Sequence, residues 1–153
     1  MNVKLTAPQK KAELSNPAKV APIMQQILMR ENKMGRNQEH FWIVGLNNTN
    51  KILFIELISL GRQNRVLVNP PDVFRMAIYK LAIKAILVHN HPSDNLKPST
   101  ADINITDRLT KVGEMINIDV VDHLIITEKG YLSFFEEGLK KRIKQSSSWR
   151  VCE

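Results

Sequence analysis

The residues best suited to chemistry lie in one stretch, His89-Asn90-His91-Pro92-Ser93-Asp94-Asn95-Leu96-Lys97-Pro98-Ser99-Thr100-Ala101-Asp102. Side chains at i and i+2 of a strand leave the same face, so His89 and His91 can converge on one point. A loop that folds back brings Asp102 to that point. Two histidines and one carboxylate make three ligands with a fourth position open, which is how catalytic rather than structural zinc is held. Zinc lowers the pKa of a bound water to about 7, and a carboxylate must then take or relay its proton. Glu56 is the candidate base, because it sits inside the apolar run Ile52-Leu53-Phe54-Ile55-Glu56-Leu57-Ile58, where a carboxylate is costly to bury without a partner. Ser99, three residues before Asp102, is placed to donate a hydrogen bond to a developing oxyanion.

Each feature has a plainer reading. Ser99-x-x-Asp102 fits a helix N-cap with its acidic capping-box partner, and that role is compatible with metal ligation because capping would fix Asp102. An H-x-H pair alone is weak, and Glu56 could face solvent on an edge strand. The combination carries the weight: an embedded Glu, then H-x-H-P at a strand end, then S-x-x-D at a helix start.

The elements that must position these residues are readable as a mixed α/β, or α+β, domain with helices packed on a central sheet. Residues 1–16 read as a flexible leader. Pro17 opens an amphipathic helix carrying Val20, Ile23, Met24, Ile27 and Leu28, with Gly35 as its stop. Phe41–Leu46 and Lys51–Leu60 form a hairpin around Asn47-Asn48-Thr49-Asn50. Arg65–Val68 reads as a short strand, and Asn69 starts a helix to about Lys80. Lys84–Val88 is a continuous apolar strand of the kind found centrally in sheets, followed by a loop from His89 to Pro98. Ser99 opens a long helix. Asp119–Thr127 and Tyr131–Ser133 are strands about a turn, Phe134–Lys144 a terminal basic helix, and 146–153 a frayed tail. The folded domain is thus expected over residues 17–145.

The chain has 153 residues, 43% hydrophobic and 24% charged, close to the globular average and enough for one domain. Its single cysteine, Cys152, excludes an intrachain disulfide and a Cys-x-x-Cys site and fits a reducing cytoplasm. No apolar run reaches signal-peptide or bilayer-spanning length, so no membrane partner is expected. The net charge of +7 favours contact with nucleic acid or an acidic surface, although ordinary solubility charge reaches a similar size.

With those residues assembled, the chain resembles the JAMM (MPN, JAB) metalloprotease family. The pattern is an upstream Glu, then H-x-H-P, with seven residues between the second His and the Ser of S-x-x-D. Ala85-Ile86-Leu87-Val88-His89-Asn90-His91-Pro92-Ser93, Asn69–Arg75, His40-Phe41-Trp42 and Val121–Ile126 are similar to the RadC branch. The resemblance covers roughly residues 20–135. It implies a cytidine-deaminase-like α/β/α sandwich and one Zn2+ per chain held by His89, His91 and Asp102. It also implies Glu56 as acid/base, Ser99 as oxyanion helper, and peptidase or isopeptidase action on a peptide or protein substrate. A link to DNA repair or mobile elements is implied as well.

Two departures stand out. Asp94 occupies the usual Gly position after His-Asn-His-Pro-Ser, and Asn69-Pro70 replaces His-Pro. No helix-hairpin-helix pattern precedes Gly35, so a stand-alone catalytic-type domain is expected. Base deamination needs H-x-E and P-C-x-x-C, whereas position 91 is His and no Cys precedes Cys152. The alternatives to a hydrolase are a non-catalytic binding module and a nucleic-acid-associated one. Among the remaining residues, His123 reads as packed or supporting the ligands, Asn90 as closing the loop, and Phe41, Trp42 and Met24 as core. Lys140-Lys141-Arg142 and Lys144 read as a solvated face.

Overall fold

The computed structural model describes residues 1–61 and 68–139. Its elements run α1 (Ala7–Lys11), α2 (Pro17–Leu28), α3 (Lys33–Arg36), β1 (Glu39–Leu46), β2 (Ile52–Gly61), α4 (Pro70–Tyr79), β3 (Lys84–Asn90), α5 (Thr100–Met115), β4 (Asp119–Ile126) and β5 (Tyr131–Ser133). One five-stranded mixed sheet has the order β2-β1-β3-β4-β5. β3 and β4 are parallel and the other pairs antiparallel. Parallel neighbours need a crossover, and α5 supplies it.

Alternation along the strands divides the core into two layers. Trp42, Val44, Ile86, Val88 and Leu124 pack against Val20, Met24, Ile27 and Leu28 of α2. Phe41, Ile43, Leu87 and Val120 pack on the other face against Val73, Phe74 and Ala77 of α4 and Leu109 of α5. Helices thus cover both faces of the sheet, in agreement with the expected α/β/α sandwich. β3 is buried along its whole length, in keeping with its unbroken apolar run. Gly45 lets the Phe54 ring lie against the β1 backbone, where a Cβ would strike it.

Several expectations are corrected. Residues 1–16 are not a loose leader. Leu57 N donates to Met1 O at 2.9 Å, Val3 N to Ile55 O at 2.8 Å and Leu14 N to Asn50 O at 2.7 Å. The segment therefore covers the outer edge of β2, and Leu14 is buried in the core. An exposed strand edge recruits any chain able to complete its ladder. The α2 helix stops at Leu28 rather than near Gly35, because Asn32 caps a separate helix by accepting from Gly35 N at 2.8 Å. His89 and Asn90 still belong to β3. Phe134–Gly138 is a run of turns, not a helix. The basic residues 140–144, the tail 146–153 and residues 65–67 lie outside the described residues. Among the described residues no helix is long and apolar enough to cross a membrane.

Candidate metal centre

The centre forms where β3 ends and α5 begins. β3 carries His89 to the sheet's C-terminal end with its ring on the α5 side, and His91 follows on the same face just past the strand. Ser99 N-caps α5 in extended conformation, and its Oγ accepts from Asp102 N at 3.0 Å. In return Asp102 Oδ2 accepts from Ser99 N at 2.9 Å. The capping-box reading therefore holds, and the cap fixes the carboxylate that faces the histidines.

The three ligand atoms lie within 4.8 Å of one another. His89 Nε2 and His91 Nε2 are 2.9 Å apart. Asp102 Oδ1 is 3.3 Å from His89 Nε2, and Oδ2 is 3.2 Å from His91 Nε2. His89 and Asp102 are buried, while His91 keeps 13% of its side chain exposed and so forms the open edge.

The tautomers follow from where each ring's second nitrogen points. His91 Nδ1 lies 2.6 Å from the Asn95 carbonyl, which only accepts, so Nδ1 carries the proton. His89 Nδ1 lies 2.7 Å from His123 Nε2, and His123 Nδ1 lies 2.5 Å from Thr106 Oγ1. Thr106 Oγ1 in turn donates to the Asp102 carbonyl at 2.7 Å. Because that relay ends on an acceptor, every proton in it points one way: His89 to His123, His123 to Thr106, Thr106 to Asp102. Both neutral rings then turn lone pairs, not protons, toward each other at Nε2. Two lone pairs and a carboxylate in van der Waals contact need positive charge between them. A metal ion supplies it to all three at once, so the donor set fits a divalent cation with His/His/Asp preference. Outer partners of this kind orient ligating histidines.

The pKa shifts show the same demand for positive charge, met there by protons on the histidines. Burial alone would lower the His91 pKa, but the Asp102 hydrogen bond, the Asn95 carbonyl and the charges of Asp102 and Glu39 raise it overall. Burial would raise Asp102, but hydrogen bonds with His89 and His91, the charge of His89 and the Ser99 amide hold it far below the usual carboxylate range.

The structure does not bring Glu56 to this centre. β2 is separated from β3 by β1, a span of roughly 10 Å at ordinary strand spacing. The Glu56 carboxylate instead lies 3.8 Å from the Met1 amine, and its backbone bridges Asn2. The nearby acid is Glu39, the first residue of β1. Phe41 pairs with His89, so the same register places Glu39 opposite His91. Glu39, His91, Ser99 and Asp102 line one cavity of about 320 Å³.

Asn90 does more than close a loop. Its Oδ1 accepts from His40 N at 2.6 Å, and its Nδ2 donates to Gln38 O at 3.0 Å and Arg36 O at 3.3 Å. It thereby grips the backbone on both sides of Glu39. Phe41 is core, as expected, but its ring also runs parallel to His89 with centroids 6.4 Å apart. His123 lies between the Phe41 edge and the stacked Phe134 ring. His40 stacks on Trp42 at 4.9 Å on the opposite side of the sheet. Asp94 holds φ +64° and donates its N–H to His91 O at 3.1 Å, a conformation that Gly adopts freely and Asp tolerates.

Comparison with known proteins gives the chain its relatives. The chain is 44% identical over 102 residues to a UPF0758 protein of Pelodictyon phaeoclathratiforme, covering 67% of this chain and 46% of the relative. It is 42% identical over 112 residues to a UPF0758 protein of Desulforudis audaxviator, covering 73% and 49%. A UPF0758 protein of Finegoldia magna is 48% identical over 95 residues, covering 62% and 43%. The matched region thus spans about half the length of these curated relatives. The family model for the RadC-like JAB domain matches residues 14–139, and the chain belongs to that family.

Proposed function

We propose that this domain is a zinc-dependent amide hydrolase of the peptidase or isopeptidase class, with one zinc per chain and Glu39 as its acid/base. The observation that carries the reading is the placement of Glu39 across one cavity from two inward-facing imidazole lone pairs and Asp102. A binding module has no need of a carboxylate held opposite the open edge of a three-ligand set.

His89, His91 and Asp102 would hold the ion, which when bound polarises a carbonyl and makes a water nucleophilic at neutral pH. Glu39 takes one proton from the attacking water as its oxygen bonds to the amide carbon. The Ser99 hydroxyl donates toward the carbonyl oxygen as charge builds there; its lone pair is already committed to Asp102 N, so its hydrogen is turned outward. Glu39 then passes the proton to the amine as the C–N bond breaks, leaving a carboxylic acid and an amine. General acid–base catalysis of this kind contributes about 10²–10⁴-fold.

The test is metal content by plasma mass spectrometry together with cleavage of a peptide and isopeptide library. Wild type should carry one zinc and cleave, His89→Ala should lose both, and Glu39→Gln should keep zinc and lose cleavage. A protein that takes up no zinc when it is added back is not this enzyme.

A further inference from the structure

We infer that the cavity beside the metal centre receives a substrate chain end bearing a free carboxylate, and that Lys97 recognises it. The inference rests on the amide-hydrolase reading above and narrows its substrate to C-terminal, carboxypeptidase-like amides.

The cavity's size argues for a chain end. At about 320 Å³ it lies at the small limit of ligand pockets, too small for several residues of a polypeptide. Its lining argues against an apolar side chain as the recognised group. Pro92 and Ala101 are its apolar residues, and the rest of the wall is Glu39, His91, Ser93, Asn95, Lys97, Ser99 and Asp102. No aromatic or branched aliphatic side chain is there to grip a hydrophobic group.

Charge selects the sign. A divalent ion offset by Asp102 and Glu39 leaves the centre formally neutral, and neutral histidines add nothing. Lys97 then leaves the cavity with one net positive charge, the complement of one carboxylate. Among the described residues the Lys97 ammonium makes no ion pair or side-chain hydrogen bond, so it can engage a ligand without breaking an existing pair.

The lysine is also well anchored at its backbone. Lys97 N donates to Asn95 Oδ1 at 3.0 Å, while the Asn95 carbonyl is held by His91 Nδ1 at 2.6 Å. Leu96 packs with Ile103, Leu132 and Leu139 around Ile125 and Phe134. Pro98 fixes its own φ, and Ser99 is tied to Asp102. The residue that would read the carboxylate thus hangs from the same loop that orients a metal ligand. An anchored base reduces the ordering cost of binding.

The experiment uses three hydroxamates on the zinc-loaded protein by isothermal titration calorimetry. Acetohydroxamate engages the metal alone, succinic acid monohydroxamate adds a pendant carboxylate, and its terminal amide replaces that charge with a neutral group. The carboxylate should bind wild type about tenfold more tightly than the amide, the yield of one charge-assisted hydrogen bond. Lys97→Met should abolish that preference and leave acetohydroxamate binding unchanged. Equal affinities in wild type, or a preference that survives Lys97→Met, overturn the inference and leave the hydrolase reading standing. Failure of zinc-loaded wild type to bind acetohydroxamate overturns both.

Discussion

Glu39 stands in register opposite His91, two residues beyond the Phe41–His89 pair that aligns β1 with β3. Its carboxylate oxygen Oε2 is buried, and its charge helps raise the His91 pKa. The same sheet places Glu56 opposite Ile43 on the far strand. Of the two glutamates, Glu39 is therefore the one that lines the cavity beside His91 and Asp102. Glu39→Gln should lower kcat by about 10²–10⁴-fold with zinc content unchanged. Glu56→Gln should leave kcat within about twofold of wild type. Steady-state kinetics on both variants, normalised to bound zinc, separates them, and the reverse ranking would restore Glu56 as the base.

The two glutamates also mark where sequence reasoning reaches and where it stops. His89, His91, Ser99 and Asp102 share one strand–loop–helix, so strand period and cap chemistry locate them without tertiary knowledge. Glu56 stands out because it interrupts an apolar run, but that run is a strand whose outer edge is covered by residues 1–3, and the Met1 amine lies beside the carboxylate. Glu39 follows the polar Asn37-Gln38, with no apolar contrast to flag it. Its role depends on the β1–β3 register, which joins segments fifty residues apart and has no local signature. Helix α5 and the β1–β2 hairpin were legible from capping and turn residues. The N-terminal segment was not, because it is held by backbone hydrogen bonds and one buried leucine rather than by a periodic pattern.

The relay from His89 through His123 and Thr106 to the Asp102 carbonyl fixes which nitrogen of His89 faces His91 and Asp102. Thr106→Val keeps the shape and removes the hydroxyl that accepts from His123, leaving the His123 Nδ1–H without a partner in a buried site. Zinc affinity should fall about 10–100-fold, the usual cost of losing an outer-shell partner. Competition with a chromogenic chelator measures it. Undiminished affinity would mean that the relay does not hold the tautomer.

Asn90 ties β3 to the backbone around Glu39 through three hydrogen bonds. Asn90→Ala strands the buried His40 N–H and should cost about 1–3 kcal/mol in urea denaturation. Because its three bonds go to the backbone around Glu39 and none to a ligand side chain, zinc should stay bound while kcat falls with the displacement of Glu39. A variant that loses stability but keeps full kcat would assign Asn90 to folding alone.

Asp122 makes stability depend on pH in an unusual direction. Burial pushes its carboxyl up to about 7, against hydrogen bonds from Ser133 Oγ and the Phe135 and His123 amides, and Glu136 adds to the rise. A carboxyl whose folded pKa exceeds its ordinary 3.8 binds more protons folded than unfolded between those values. Stability therefore declines as pH rises from about 4 to about 7, by up to ~4 kcal/mol, and the loss is complete above that window. Asp102 moves the other way, but its pKa is depressed, so its contribution is lost only below about pH 4. Asp122→Asn can accept both amides at Oδ1 and donate to Ser133 Oγ, keeping the bonds that seat Phe134 over His123. Thermal melts of metal-free protein across this window should slope downward more steeply in wild type than in Asp122→Asn. Parallel curves would show that the three donors keep Asp122 ionised throughout.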